Sequence, residues 1–396
     1  MKMNVMLLLI AISFFCYSKD DLKGSDVFFL KVNSPGDTIE SRWKDYINLD
    51  NYLIPFWKAD TLHEEISQVI KSNSLAEGTL LFKASKILSV KSADLETTFT
   101  LNKDFIYRDG KIILPEGSAI PFILKKDLLF HTEKPGWSLQ GKTPGTFVFF
   151  TEGTFFRSKQ VSVTYIPEKS KSWKGPVPKF SKRKMPNTFR KIKSDQPFKI
   201  VFYGNSIVTG RNCSSYQNQA PYMPSWPELV VYKLRQVYGQ HINFSNKSVA
   251  GTMAQWGKDN ATKLVTPENP DLVIIGFGMN DGSAGIPPEK FRETIKQMID
   301  TIKIKNQKAE FILIAPMLAN PDAIQSNIQA SYKAELDKLE TKGIIIADLT
   351  GVDIELLKRK NYQDQTGNNI NHPNDYMSRW YAQFILGLLI DKYHNN

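Results

Sequence analysis

Four short stretches of this chain carry groups that could act together on one carbonyl: Gly204-Asn205-Ser206, Gly251, Gly278-Met279-Asn280-Asp281 and Asn371-His372-Pro373. Hydrolysis through a serine needs a nucleophile, a base to take its proton, and donors aimed at the oxyanion that forms. Ser206 follows Ile200 to Tyr203, an apolar run that reads as a buried strand, and Gly-Asn-Ser reads as a tight turn at its carboxyl end. Open α/β sheets place their chemistry at such ends. The base search is short, because the chain has five histidines. His63 and His131 lie in a strand-rich half, His241 precedes a strand at its bottom end, and His394 is on the tail. His372 sits in a loop directly before the last helix, where Pro373 keeps it extended. It is the candidate base. Gly251 lets a backbone N–H approach a substrate closely, and Asn280 offers an amide. Each stretch alone reads as a turn; four at strand ends of one sheet converge on one crevice.

The elements that must position these groups begin at Phe198. Strands are expected at about 199–205, 242–249, 271–277, 310–316 and 343–348, alternating with helices at about 225–238, 254–264, 288–305, 322–341 and 375–392. That alternation argues for a parallel sheet with helices on both faces. Phe291, Ile295, Met298 and Ile302 mark the buried stripe of one helix. Residues 25–167 instead read as strands separated by Gly and Pro turns, as in Val27–Leu30, Thr97–Leu101, Lys111–Leu114, Thr146–Phe150 and Val161–Tyr165, with one helix at about Thr61 to Ser72. A β-sandwich or jelly roll is the economical expectation. Residues 168–197 crowd Lys and Arg among Pro176, Pro178 and Pro186 and read as a basic linker, or a strap over the surface. It could form a basic lip that attracts an acidic polysaccharide.

In combination the four stretches resemble the sequence blocks of the SGNH (GDSL-like) hydrolase family, over residues 198–396. The lipase-type Gly-x-Ser-x-Gly elbow is absent. The resemblance implies a flavodoxin-like three-layer α/β/α domain with a parallel sheet, Ser206 as nucleophile and His372 as base. It also implies an oxyanion hole built from the Ser206 N–H, the Gly251 N–H and the Asn280 side chain. The strand-rich half resembles, in architecture, the jelly-roll partner of two-domain bacterial carbohydrate esterases. Two positions depart from the family pattern: Asn205 stands where Gly-Asp-Ser has its acid, and Asn369 stands where Asp-x-x-His has its acid. An Asn carbonyl can hold the His372 ring but supplies no charge, a change that costs about 10⁴ in kcat in Ser-His-Asp proteases. Three readings follow: a Ser-His dyad oriented by neutral Asn369, another acid (Asp364 or Asp375) supplying the charge, or a degraded site.

The loop 207–224 is polar where a lipase would carry an apolar lid, which favours a hydrophilic ester, an acetyl group on an oligo- or polysaccharide. Trp256, close after Gly251, and Asp281 are the expected substrate contacts; Tyr222 and Trp226 follow the nucleophile loop. The expectation is therefore a carbohydrate O-acetylesterase. The alternatives are a lysophospholipase or thioesterase of the same family, or a glycan-binding protein without turnover. No cofactor is expected, and no Cys/His set has zinc-ligand spacing. The net charge of +11 is partly explained by the basic stretch, and no nucleic-acid motif accompanies it. Residues 1–18, a basic start and a short apolar core, read as a signal peptide. Cleavage after Ser18 gives a secreted or periplasmic protein. A lipidated Cys16 would instead tether it at the outer membrane or cell surface.

Overall fold

The computed structural model describes residue 39 and residues 41–393 apart from residue 74. The expected signal peptide, Cys16, the Val27–Leu30 strand and His394 lie outside the described residues. Five parallel strands form the central sheet: β1 (Phe198–Gly204), β2 (Ile242–Asn246), β3 (Leu272–Gly276), β4 (Glu310–Ala315) and β5 (Ile344–Asp348). Their order is β2-β1-β3-β4-β5, with β1 paired to both β2 and β3. This is the flavodoxin-like order, whose crevice opens where the winding reverses at β1.

β1, β3 and β4 are near-continuous apolar runs because both faces are covered, whereas the edge strand β2 is mostly half-buried. Ile200 and Phe202 of β1 join one apolar cluster, while Val201 and Tyr203 join another on the opposite face. Helices α1 (Trp226–Tyr238), α4 (Leu349–Leu357) and α5 (Asp375–Leu389) pack into the first cluster; α2 (Ala254–Leu264) and α3 (Pro288–Lys305) pack into the second. The expected helix 322–341 is shorter than its sequence suggests. Only Tyr332–Asp337 is α-helical, after a 3₁₀ turn at Gln329–Ser331. The chain before it is held elsewhere, with Ala323 bridged to Gly141 and Lys142 N–H donating to Asp322 O at 2.7 Å.

The strand-rich half resolves into three sheets rather than the two facing sheets expected. A four-stranded antiparallel sheet contains Leu62–Gln68, Gln160–Pro167, Ala84–Ser92 and Thr98–Phe99; a five-stranded sheet contains a parallel pair, Ile70–Ser72 with Ile123–Leu124. A three-stranded sheet joins Ser138–Gln140, Phe147–Phe149 and Leu129–Phe130. The helix expected at 61–72 is instead Leu62–Gln68 and Ile70–Ser72, both strands. Tertiary partners override local propensity there. Glu65 is fully buried and takes bonds from Leu81 N–H, Tyr165 O–H and the Lys360 ammonium.

This half does not hang from a tether. Trp43, Phe56, Ile66 and Tyr165 share one continuous cluster with Trp380 and Ile385 of α5. The Arg379 guanidinium lies 4.1 Å over the Tyr52 ring and donates to His63 O at 2.7 Å. The basic stretch 168–197 runs as a strap with buried contacts: it forms a short helix, Pro186–Ile192, that buries Phe189 and Ile192. Lys184 pairs with Glu340 and Lys191 with Asp271, so part of its charge is already met.

Candidate active site

β1 ends at Gly204 because nothing larger fits: a Cβ there would stand 2.3 Å from Gly276 O on β3. Asn205 then turns the chain, its buried Oδ1 accepting from Ile207 N–H at 3.0 Å. Val208 and Thr209 N–H donate to Asn205 O at 3.0 and 3.1 Å, so Ser206 sits in the first turn of a helical bend. The Ser206 side chain is 5% exposed. The loop after β2 is sewn to this turn by Val249 N–H donating to Gly204 O at 3.0 Å and Asn246 Nδ2 donating to Val208 O at 2.7 Å. It carries Gly251, exposed and at φ 78°, a conformation that favours glycine. After β3, Asn280 Nδ2 donates to Thr252 O at 2.9 Å, which holds the Asn280 amide beside Gly251. Three of the four stretches are thus bonded to one another at the carboxyl ends of neighbouring strands.

The fourth is a ring of bonds around Asn368. Its Oδ1 accepts from Ile370, Asn371 and His372 N–H at 3.0, 3.0 and 3.1 Å, while His372 O accepts from Gly367 N–H and the Thr366 hydroxyl at 3.0 Å each. The imidazole so presented has Nε2 2.9 Å from Ser206 Oγ. Its Nδ1 has three neighbours: Asn212 Oδ1 at 3.0 Å, Asn368 Nδ2 at 3.0 Å and Glu152 Oε1 at 3.2 Å. Because Asn368 Oδ1 is committed to three N–H groups, its Nδ2 must face the ring. Asn212 and Glu152 are then the acceptors for an Nδ1–H.

Glu152 comes from the strand-rich half, and no motif in the sequence marks it. Asn368 Nδ2 donates to its Oε1 at 3.1 Å, and Arg211 Nε lies 3.6 Å from its Oε2. Burial raises its carboxyl, but the bonds from His372 and Asn368 and the nearby Arg211 outweigh that and bring it down to about 2. Asn212 was also missed. It stands at φ 68° in the loop after Ser206, and its type alone gives no sign that it reaches His372.

The acids and amides expected behind His372 are elsewhere. Asn369 Oδ1 accepts from Asn320 Nδ2 at 3.1 Å and Gln363 Nε2 at 2.7 Å, and its Nδ2 donates to Phe149 O at 2.8 Å. It ties the histidine loop to the strand-rich half instead of orienting the ring. Asp364 accepts from Gln68 and Asn361 N–H, and Asp375 is bound by Arg157 and Ser214 N–H. Neither faces His372. Asp281 is not a substrate contact either. It is 2% exposed, with its two oxygens taken by Ala254 N–H at 2.9 Å and Gly278 N–H at 3.0 Å, so it braces the start of α2 against the turn after β3. Trp256 packs onto the second apolar cluster, 6.0 Å from the Tyr203 ring, and Trp226 is fully buried. The polar loop 207–224 is largely fastening: Ser214 is buried and Gln217 Nε2 donates to Gly153 O at 2.6 Å. A cavity of about 320 Å³ lined by Thr79, Phe82, Lys83, Lys171 and Arg359 includes none of these site residues.

Residues 202–380 match the model of the GDSL-like lipase/acylhydrolase family. An arylesterase from Vibrio mimicus is 32% identical over 105 residues, 26% of this chain and 48% of the relative. Thioesterase 1/protease 1/lysophospholipase L1 from Escherichia coli K12 is 25% identical over 145 residues, 37% of this chain and 57% of the relative. The chain thus spans about half the length of the curated relatives it matches. Among solved structures, a two-domain esterase (CEX) active on acetylated mannans aligns over 56% of each chain at 20% identity and a TM-score of 0.44. A catalytic mutant of an acetylxylan esterase from Geobacillus stearothermophilus aligns over 50% of this chain and 100% of its own, at 18% identity and a TM-score of 0.40. Residues 202–380 are thus similar to the GDSL-like lipase/acylhydrolase family.

Proposed function

We propose that this chain is an exported serine esterase that removes acetyl or other short acyl groups from a carbohydrate. The observation that carries the reading is the 2.9 Å contact between Ser206 Oγ and His372 Nε2. At that distance Nε2 takes the hydroxyl proton as Oγ attacks the ester carbonyl. The oxyanion is received by the N–H groups of Ser206 and Gly251 and by the Asn280 amide. As the C–O bond breaks, His372 gives the proton to the departing sugar oxygen, leaving an acyl-Ser206, and a water repeats the sequence to release the acid. The rim around Ser206 favours a hydrophilic alcohol over a lipid, since Arg211, Thr252, Asn280 and Asn371 are all partly exposed polar residues. Export rests on the apolar start of the chain.

Acetate release from a panel of acetylated polysaccharides, beside p-nitrophenyl acetate and palmitate, tests this reading. Wild type should release acetate and prefer the short ester. Ser206→Ala should lose at least about 10³-fold in kcat/KM. Cleavage of palmitate but not acetate would select a thioesterase or lysophospholipase activity instead. Glycan binding with no acetate released would leave only a binding protein.

A further inference from the structure

We propose that Glu152, contributed by the strand-rich half, is the acid that completes a Ser206–His372–Glu152 triad, its carboxylate standing against His372 Nδ1 in place of the missing loop aspartate. The inference rests on the esterase reading above and adds to it the source of the charge that this reading lacks.

Three observations support the assignment. The first is position. Glu152 Oε1 lies 3.2 Å from Nδ1 on the side of the ring away from Ser206, where an Nδ1–H must point if Nε2 is to accept the serine proton. The second is that the carboxylate is held independently of the ring. Asn368 Nδ2 donates to the same oxygen at 3.1 Å, and Arg211 faces the other oxygen at 3.6 Å. Burial pushes its carboxyl up, but the bond and charge of His372, joined by these two contacts, bring it down to about 2. The third is the mounting of the segment that carries it. Phe147–Phe149 ends three residues before Glu152, and Val148 is buried with Ala323 and Ile370, two residues from His372. Phe149 O takes the Asn369 amide at 2.8 Å, Gly141 bridges to Ala323, and Gly153 O takes the Gln217 amide at 2.6 Å. The histidine loop and the acid are therefore fastened to each other on both sides of the ring.

The division of labour follows. Asn368 fixes the loop and keeps Glu152 in place; Asn212 Oδ1 shares the Nδ1–H. Glu152 supplies the negative charge that stabilises imidazolium after Ser206 gives up its proton. It is a positioning residue, since it acts through His372. The charged groups facing this ring are Glu152 and, behind it, Arg211. Asn369 instead clamps the histidine loop to Phe149 O.

The test is the pH profile of kcat/KM on a small acetyl ester for wild type, Glu152→Gln, Asn368→Asp and the double variant Glu152→Gln/Asn368→Asp, with Ser206→Ala alongside. Glu152→Gln should lose about 10²- to 10⁴-fold, the upper value being that for neutralising a triad aspartate. Its acidic limb should move to lower pH, because imidazolium loses its counter-charge. Asn368→Asp in the double variant moves a carboxylate onto the histidine loop against Nδ1, and should restore at least tenfold of the lost rate and return the limb upward. Asn368→Asp alone sets two carboxylates together and should not gain. The proposal is overturned if Glu152→Gln stays within about threefold of wild type with its limb unmoved. It is equally overturned if the loss comes with no limb shift and no recovery in the double variant, the pattern of a packing defect. Undiminished activity of Ser206→Ala would instead reject the esterase reading itself.

Discussion

Asn205 stands beside Ser206, and its work is geometric. The acceptor that Ile207 N–H needs is an oxygen, and an amide oxygen serves as well as a carboxylate. The amide also avoids an unpaired charge at a site 1% exposed. Asn369 is a different case. Its Oδ1 and Nδ2 are all committed, the latter to Phe149 O at 2.8 Å. Asn369→Asp, which puts an acid three residues before His372, should therefore not raise ester hydrolysis. It replaces a buried donor with an acceptor facing a carbonyl, and should cost about 1–3 kcal/mol of stability in a denaturant titration. A rise in kcat with stability unchanged would show that position 369 reaches His372 after all.

At the scale of elements, the turns at the strand ends are fixed by close approach. Gly204→Ala places a Cβ 2.3 Å from Gly276 O and 2.4 Å from Val208 Cγ2. The nearer obstacle is backbone, so β1 or its turn must move. Thermal unfolding should register a loss of about 1–3 kcal/mol or more, with kcat falling further than stability predicts. An alanine variant of unchanged rate would mean the turn tolerates the shift. The sheet was legible because β1, β3 and β4 are buried on both faces and spell themselves out as runs such as Phe311 to Ala315. Helices α1, α2, α3 and α5 were legible from their amphipathic or apolar spacing. The stretch at 61–72 was not, since Glu65, Ser67 and Gln68 are buried polar residues whose partners lie far along the chain. Within the site, Ser206 and His372 could be found because strand ends and a lone loop histidine are local signals. Glu152 could not, because its partner His372 is 220 positions away and a Glu between turns looks like any solvated acid.

For the whole molecule, buried carboxyls tie stability to pH in both directions. Burial pushes Asp353 up to about 7 and Asp364 and Asp281 to about 6. Raised groups of this kind contribute stability fully below their unfolded values near about 4, and lose it as pH rises through about 6–7. Glu152 and Glu268, both down at about 2, contribute above the ordinary carboxylate range and lose it as pH falls towards 2. The melting temperature should accordingly be higher at about pH 5 than at about pH 8, and fall again in strong acid, with Asp353→Asn flattening the alkaline side. A monotonic rise from pH 5 to 8 would contradict these shifts. All of this serves one rim, where two halves of the chain meet around a single serine. The most direct check is to treat the protein with a fluorophosphonate and map the adduct by peptide mass spectrometry. The account predicts one phosphonyl group on the Ser206 peptide, greatly slowed in His372→Ala and absent in Ser206→Ala. Stoichiometric labelling at another residue, or full hydrolytic activity in Ser206→Ala, would contradict it.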